Sequence, residues 1–101
     1  MPIVGGPRET LSTLSSSKGI TATILLPTSG TYKGKPIIAA TFQPKTQNVY
    51  VAWDGAAATT SALLLAVGDI LRLEGYENLV NFRVIEATAS ATLLVLPEYR
   101  V

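Results

Sequence analysis

The sequence predicts an all-β fold, a small antiparallel β-sandwich or jelly roll with an extended N-terminal arm, and three observations carry that reading. Short apolar runs alternate with a period of two, as in residues 47–53, where Val49, Val51 and Trp53 share one face and Asn48, Tyr50 and Ala52 the other. Turn chemistry separates the runs: Pro27, Pro44, Asp54-Gly55 and Gly68-Asp69 each interrupt one. No segment sustains a helical period. With 101 residues, 48% of them apolar, the chain is a single domain long enough to bury a core without metals or cross-links.

Taken in order, residues 1–18 carry Gly5, Gly6, Pro7 and the run Ser15, Ser16, Ser17, which predicts an extended arm outside a sandwich domain of residues 19–101. The apolar residues of the arm, Ile3, Val4, Leu11 and Leu14, need somewhere to go, and the expectation is an interface with a neighbouring subunit. Deleting residues 1–16 is then expected to leave the sandwich folded. A first strand is expected from Ile20 through Ala22 and Ile24 to Leu26, stopped by Pro27. Residues 28–36, with Gly30, Gly34 and two lysines, read as a solvated loop. Residues 37–42 form the second strand, ended by Pro44, and residues 47–53 the third.

Residues 56–61 read as a small-residue loop, followed by a strand that Gly68-Asp69 ends; a helix over 56–67 is set aside because that interruption leaves it little room. Strands over 70–73 and 80–84 are joined by a link at 76–79. Residues 89–91 turn the chain into a last strand at 93–101. The expected core is Ile20, Ile24, Val49, Val51, Trp53, Leu71, Leu73, Phe82, Val84 and Leu93.

Composition narrows the function. Charged residues make up 15% of the chain, against about 25% in an ordinary domain, while 12 Thr and 7 Ser supply hydroxyls; such a surface suits permanent assembly. A net charge of +1 is too small to neutralise a polyphosphate or an anionic membrane, so neither nucleic acid nor membrane is an expected partner. The chain has no Cys and no His, which removes thiolate and imidazole catalysis and the metal sites built on those ligands. The first residues lack the apolar run of a signal peptide, and the longest apolar stretch, residues 62–67, is far short of the roughly 20 that span a bilayer. The expectation is a soluble protein.

Motifs with a chemical meaning fail on inspection. Residues 30–36, GTYKGKP, approach a phosphate-binding loop, but the spacing is one residue short and Pro36 stands where Ser or Thr should. Residues 15–18, SSSK, match the Ser-x-x-Lys of penicillin-recognising enzymes without either companion element. Asp54, Asp69, Glu74, Glu77 and Glu86 follow neither a calcium-loop spacing nor another dense acidic pattern, and read as turn and surface acids. No catalytic residue, cofactor or metal site is expected, and the chain does not read as an enzyme. Among the aromatics, Trp53 falls on the apolar face, whereas Tyr50 and Tyr99 are the interface candidates, since tyrosine tolerates one dry and one wet side.

Residues 48–101 place an N-x-Tyr-Val strand before Trp53-Asp54-Gly55, then a Thr/Ser-rich loop, the step LAVGDILRL, the link Tyr76-Glu77-Asn78, and closing strands with a polar-aromatic tail. In that order the elements resemble small virion proteins of tailed bacteriophages. The resemblance implies a non-enzymatic structural role in the virion, first as a decoration or cement protein bound to the outer capsid surface. The implied partners are the major capsid protein or other virion proteins and further copies of the chain, with a trimer preferred. A neck or tail component, or a carbohydrate-binding module in host attachment, is the alternative.

Overall fold

The structure, a computed structural model, describes residues 3–100 and shows antiparallel sheets with little helix. Chain order is β1 (Ile3–Gly5), β2 (Glu9–Leu11), α1 (Ala22–Leu25), β3 (Ala39–Pro44), β4 (Val49–Ala52), β5 (Leu63–Leu65), β6 (Leu71–Glu74), α2 (Tyr76–Asn81), β7 (Arg83–Glu86) and β8 (Leu93–Arg100). One sheet runs β1-β8-β3-β6, with β2 also on β8; the other runs β5-β4-β7. Every pairing between these strands is antiparallel.

Alternation places the core between the sheets. In β8 the residues Leu93, Val95, Pro97 and Tyr99 are buried, and in β4 Val49 and Val51. Ala40 and Phe42 of β3 join them, as do Leu65 of β5, Leu73 of β6 and Val84 of β7. Phe42 stacks on Phe82 with ring centroids 4.1 Å apart, tying the larger sheet to the residue that enters β7. Seven of the ten expected core residues are buried; Ile24, Trp53 and Leu71 pack against the cluster half-buried.

A proline inside β8 looks incompatible with a strand that has neighbours on both sides, because it cannot donate to a ladder. The register resolves this. β2 pairs with residues 93–95 of β8 and β1 with residues 98–100, so Pro97 lies at the break between them. There its carbonyl accepts the Gly6 amide at 2.9 Å, on the side where no donor is required. Gly6 is needed for packing: a Cβ at that position would lie 2.3 Å from the buried ring of Tyr99.

Residues 1–18 differ from expectation. Their described part, residues 3–18, includes two short strands and does not stand off the domain as an arm, because β1 and β2 complete the free side of β8. Leu11 and Leu14 enter this chain's own core, at 5% and 1% exposure, and the Leu14 carbonyl accepts the Glu86 amide. Lys18 then bridges to Val84 and covers the outer edge of β7. The boundary drawn at residue 18 therefore divides one core.

The strand expected at 20–26 is instead the single turn α1. Ile20 is buried and Ile24 and Leu25 pack against the core, whereas Ala22 and Leu26 are exposed, a pattern nearer one turn of helix than two-residue alternation. The Thr21 carbonyl accepts both the Ile24 and Leu25 amides. Glu9 of β2 accepts the Thr21 amide at 3.3 Å and bonds its hydroxyl, fixing the turn from outside it. The link expected at 76–79 is helical as well. Gly75, at φ +97°, breaks the chain out of β6, and α2 buries Leu79 completely. The remaining strands fall within two or three residues of the predicted ones.

Candidate functional site

The described residues contain no cluster of three or more Asp or Glu placed to hold a metal ion. The GTYKGKP segment forms turns, with the Lys33 amide bonded to the Gly30 carbonyl and Lys35 to Tyr32, and its first residues help to line a hollow of about 500 Å³. The other walls are Pro7, Thr23, Ile24, Pro27, Thr28 and Ser29, so the hollow is neutral and bears hydroxyls. A second hollow of about 340 Å³ lies beside Ile38 and Tyr76, with Arg72, Glu74 and Arg100 on its walls. Arg72 bonds Glu98 at 3.1 Å and also pairs with Glu74. These contacts, led by the bond to Glu98, raise the guanidinium pKa further. The group is thus already neutralised by this chain's own carboxylates.

The interface residues read from the sequence separate into two groups. Tyr99 is a core residue: it is fully buried, stacks on Tyr32 at 4.7 Å between centroids and donates its hydroxyl to the Ile24 carbonyl. Leu11 and Leu14 are core residues too, buried within this chain. Val4 is half-buried opposite Tyr99. Ile3 pairs with Arg100 in β1, and its side chain lies outside the described residues. Tyr50 lies half-buried on the outer face of the smaller sheet, where an interface residue is useful.

Burial raises the pKa of the Tyr99 phenol, with Glu9 and Tyr32 adding to the effect. The folded protein therefore holds this proton more tightly than the unfolded chain does. Its contribution to stability is complete below the ordinary phenol value of about 10 and is lost as pH rises through the raised folded value. Urea midpoints across the alkaline range should fall more steeply for the native chain than for Tyr99→Phe; parallel curves would contradict the assignment.

The sequence reading reaches the outer face of the smaller sheet only through Tyr50 and misses the edge beside it. Leu64 of β5, Tyr50 of β4 and Ile85 of β7 are direct cross-strand partners, so their side chains form one apolar row on the solvent side. Leu64 is 48% exposed and Leu63 50%, and the chain continues into exposed Val67 and Ile70, the latter at 68%. Residues 55–68 contain no charged residue. That neutral run was the available signal, and the outward placement of its leucines is what pairing with β4 adds.

The edge is also open in its backbone. The Asn48 carbonyl accepts the Ala87 amide beside β7, so alternation turns the amide groups of Tyr50 and Ala52 toward β7 and those of Val49 and Val51 toward β5. Leu63 and Leu65, opposite Val51 and Val49, therefore spend their amide groups on β4, and the N–H and C=O of Leu64 point away from the sheet. The ends of β5 are tied down: Asn48 accepts the Val67 amide and Asp69 the Ala66 amide, both at 2.9 Å. The result is a short, rigid, uncharged strand with one donor and one acceptor facing outward.

Compared with protein families, curated proteins and solved structures, the chain matches none.

Proposed function

We propose that this chain is a non-enzymatic structural protein of a tailed-phage virion, a decoration protein that binds the outside of the capsid shell as a homo-oligomer. The observation that carries the reading is the neutral apolar edge at β5, on a domain whose charge is otherwise sparse. An isolated soluble domain protects its sheet edges with charge, proline or cover, because an open apolar strand templates pairing with other chains. Assembly removes that liability and makes use of it. The resemblance of residues 48–101 supplies the setting and the major capsid protein as partner. The aromatic rings do not favour sugar binding: the two stacked pairs are Phe42 on Phe82, both buried, and Tyr32 on buried Tyr99.

Purified protein mixed with empty shells of the source phage should cosediment with them saturably, at a fixed ratio to the capsid protein. Protein that stays in the supernatant at every concentration would contradict the proposal.

A further inference from the structure

We infer that two copies of this chain pair through β5, antiparallel about a two-fold axis at Leu64, joining their smaller sheets into one six-stranded sheet. The inference rests on the homo-oligomer in the reading above, but not on the shell.

The geometry is self-complementary. The one outward N–H and C=O of β5 belong to Leu64, its central residue, so Leu64 set opposite itself forms a hydrogen-bonded antiparallel pair that exchanges both bonds. In that register Leu63 meets Leu65, Ala62 meets Ala66 and Ser61 meets Val67, so apolar or small residues face one another on both sides of the axis, with no charge within residues 55–68. The apolar row of Ile85, Tyr50 and Leu64 becomes continuous across the axis with the same three residues of the second copy.

Charge selects β5 as its own partner. Arg72 and Glu74 occupy β6, at one edge of the larger sheet, and Arg8 and Glu9 sit at the start of β2, at the other. The outer edge of β7 is already taken by Lys18 and by the Leu14 carbonyl. A closed ring of three would require β5 to meet a different edge of its neighbour; β1 is the other uncharged one, and its Gly5 carbonyl already accepts the Tyr32 hydroxyl at 3.1 Å. A second β5 is the neutral match, which makes two copies, not three, the unit built on this edge.

The test is the mass of the purified full chain in free solution, by sedimentation equilibrium at micromolar concentration, with no shell present. The expected mass is twice 10.7 kDa. Leu64→Lys, which sets like charges against each other on the axis, should reduce it to one chain, and mixing Leu64→Lys with Leu64→Glu should restore the double mass. The absence of cysteine from the chain provides a second readout that does not depend on those variants folding. Residues in a hydrogen-bonded antiparallel pair have Cα atoms about 5.5 Å apart, inside the roughly 4.4–6.8 Å that a disulfide spans. Leu64→Cys treated with an oxidant should cross-link into covalent dimers, whereas Leu96→Cys, exposed on the other sheet, should not. A native mass of one or three chains, or equal cross-linking at the two positions, would overturn the inference. Shell binding by a protein that is monomeric in solution would leave the decoration reading standing and remove this one.

Discussion

Deleting residues 1–16 is expected to unfold the domain, with loss of the β-sheet circular dichroism signal and of any cooperative thermal transition. The deletion takes away both strands that pair with the free side of β8, together with Leu11 and Leu14 from the core. Each buried leucine accounts for about 2–5 kcal/mol when truncated to alanine. The pair therefore approaches the roughly 5–15 kcal/mol that separates a folded domain from its unfolded chain, before any backbone bond is counted. Glu9 leaves as well, and with it the carboxylate that fixes Thr21 at the start of α1. Leu14→Ala and Leu11→Ala isolate the side-chain part, and each should lower the urea midpoint while leaving a folded protein. A deletion product with a native spectrum and an unshifted melting temperature would show that the segment is dispensable to the fold.

Truncating the stacked pair has the next largest expected effect. Phe42 and Phe82 are both fully buried, and neither sheet holds both rings: Phe42 lies in β3, and Phe82 is the residue between α2 and β7. Phe42→Ala or Phe82→Ala should each cost about 3–5 kcal/mol, read as a lowered urea midpoint with the slope unchanged. The double variant should be less destabilised than the sum of the single ones, because the stacking contact, worth roughly 0.5–1.5 kcal/mol beyond burial, is lost only once. Strict additivity would mean that the rings contribute through separate neighbours.

Strands whose alternation is set by their own residues were legible in the sequence. In β4 the order Val49, Tyr50, Val51 contains both the buried face and the outer one, and β8 alternates over its whole length. What was not legible depends on partners distant along the chain. Ile20, Ala22, Ile24 and Leu26 satisfy a strand pattern, and only Glu9, held twelve residues away in β2, anchors the segment as a turn. Gly5, Gly6 and Pro7 suggest a detached arm, yet they form the crossing that lets β1 and β2 share one side of β8 around Pro97. Tyr99 sits in an alternating strand, and residue type alone makes it an interface candidate; its hydroxyl is satisfied inside by the Ile24 carbonyl. For the interaction surface, the neutral run at 55–68 was visible, but which of its leucines face outward follows from pairing with β4.

Cryo-electron microscopy of empty shells incubated with the purified protein tests the proposed function most directly. The account predicts added density on the outer capsid surface, shaped as the two-sheet domain and seated on the major capsid protein. Shells that remain bare, or density confined to the neck or tail of complete particles, would contradict it.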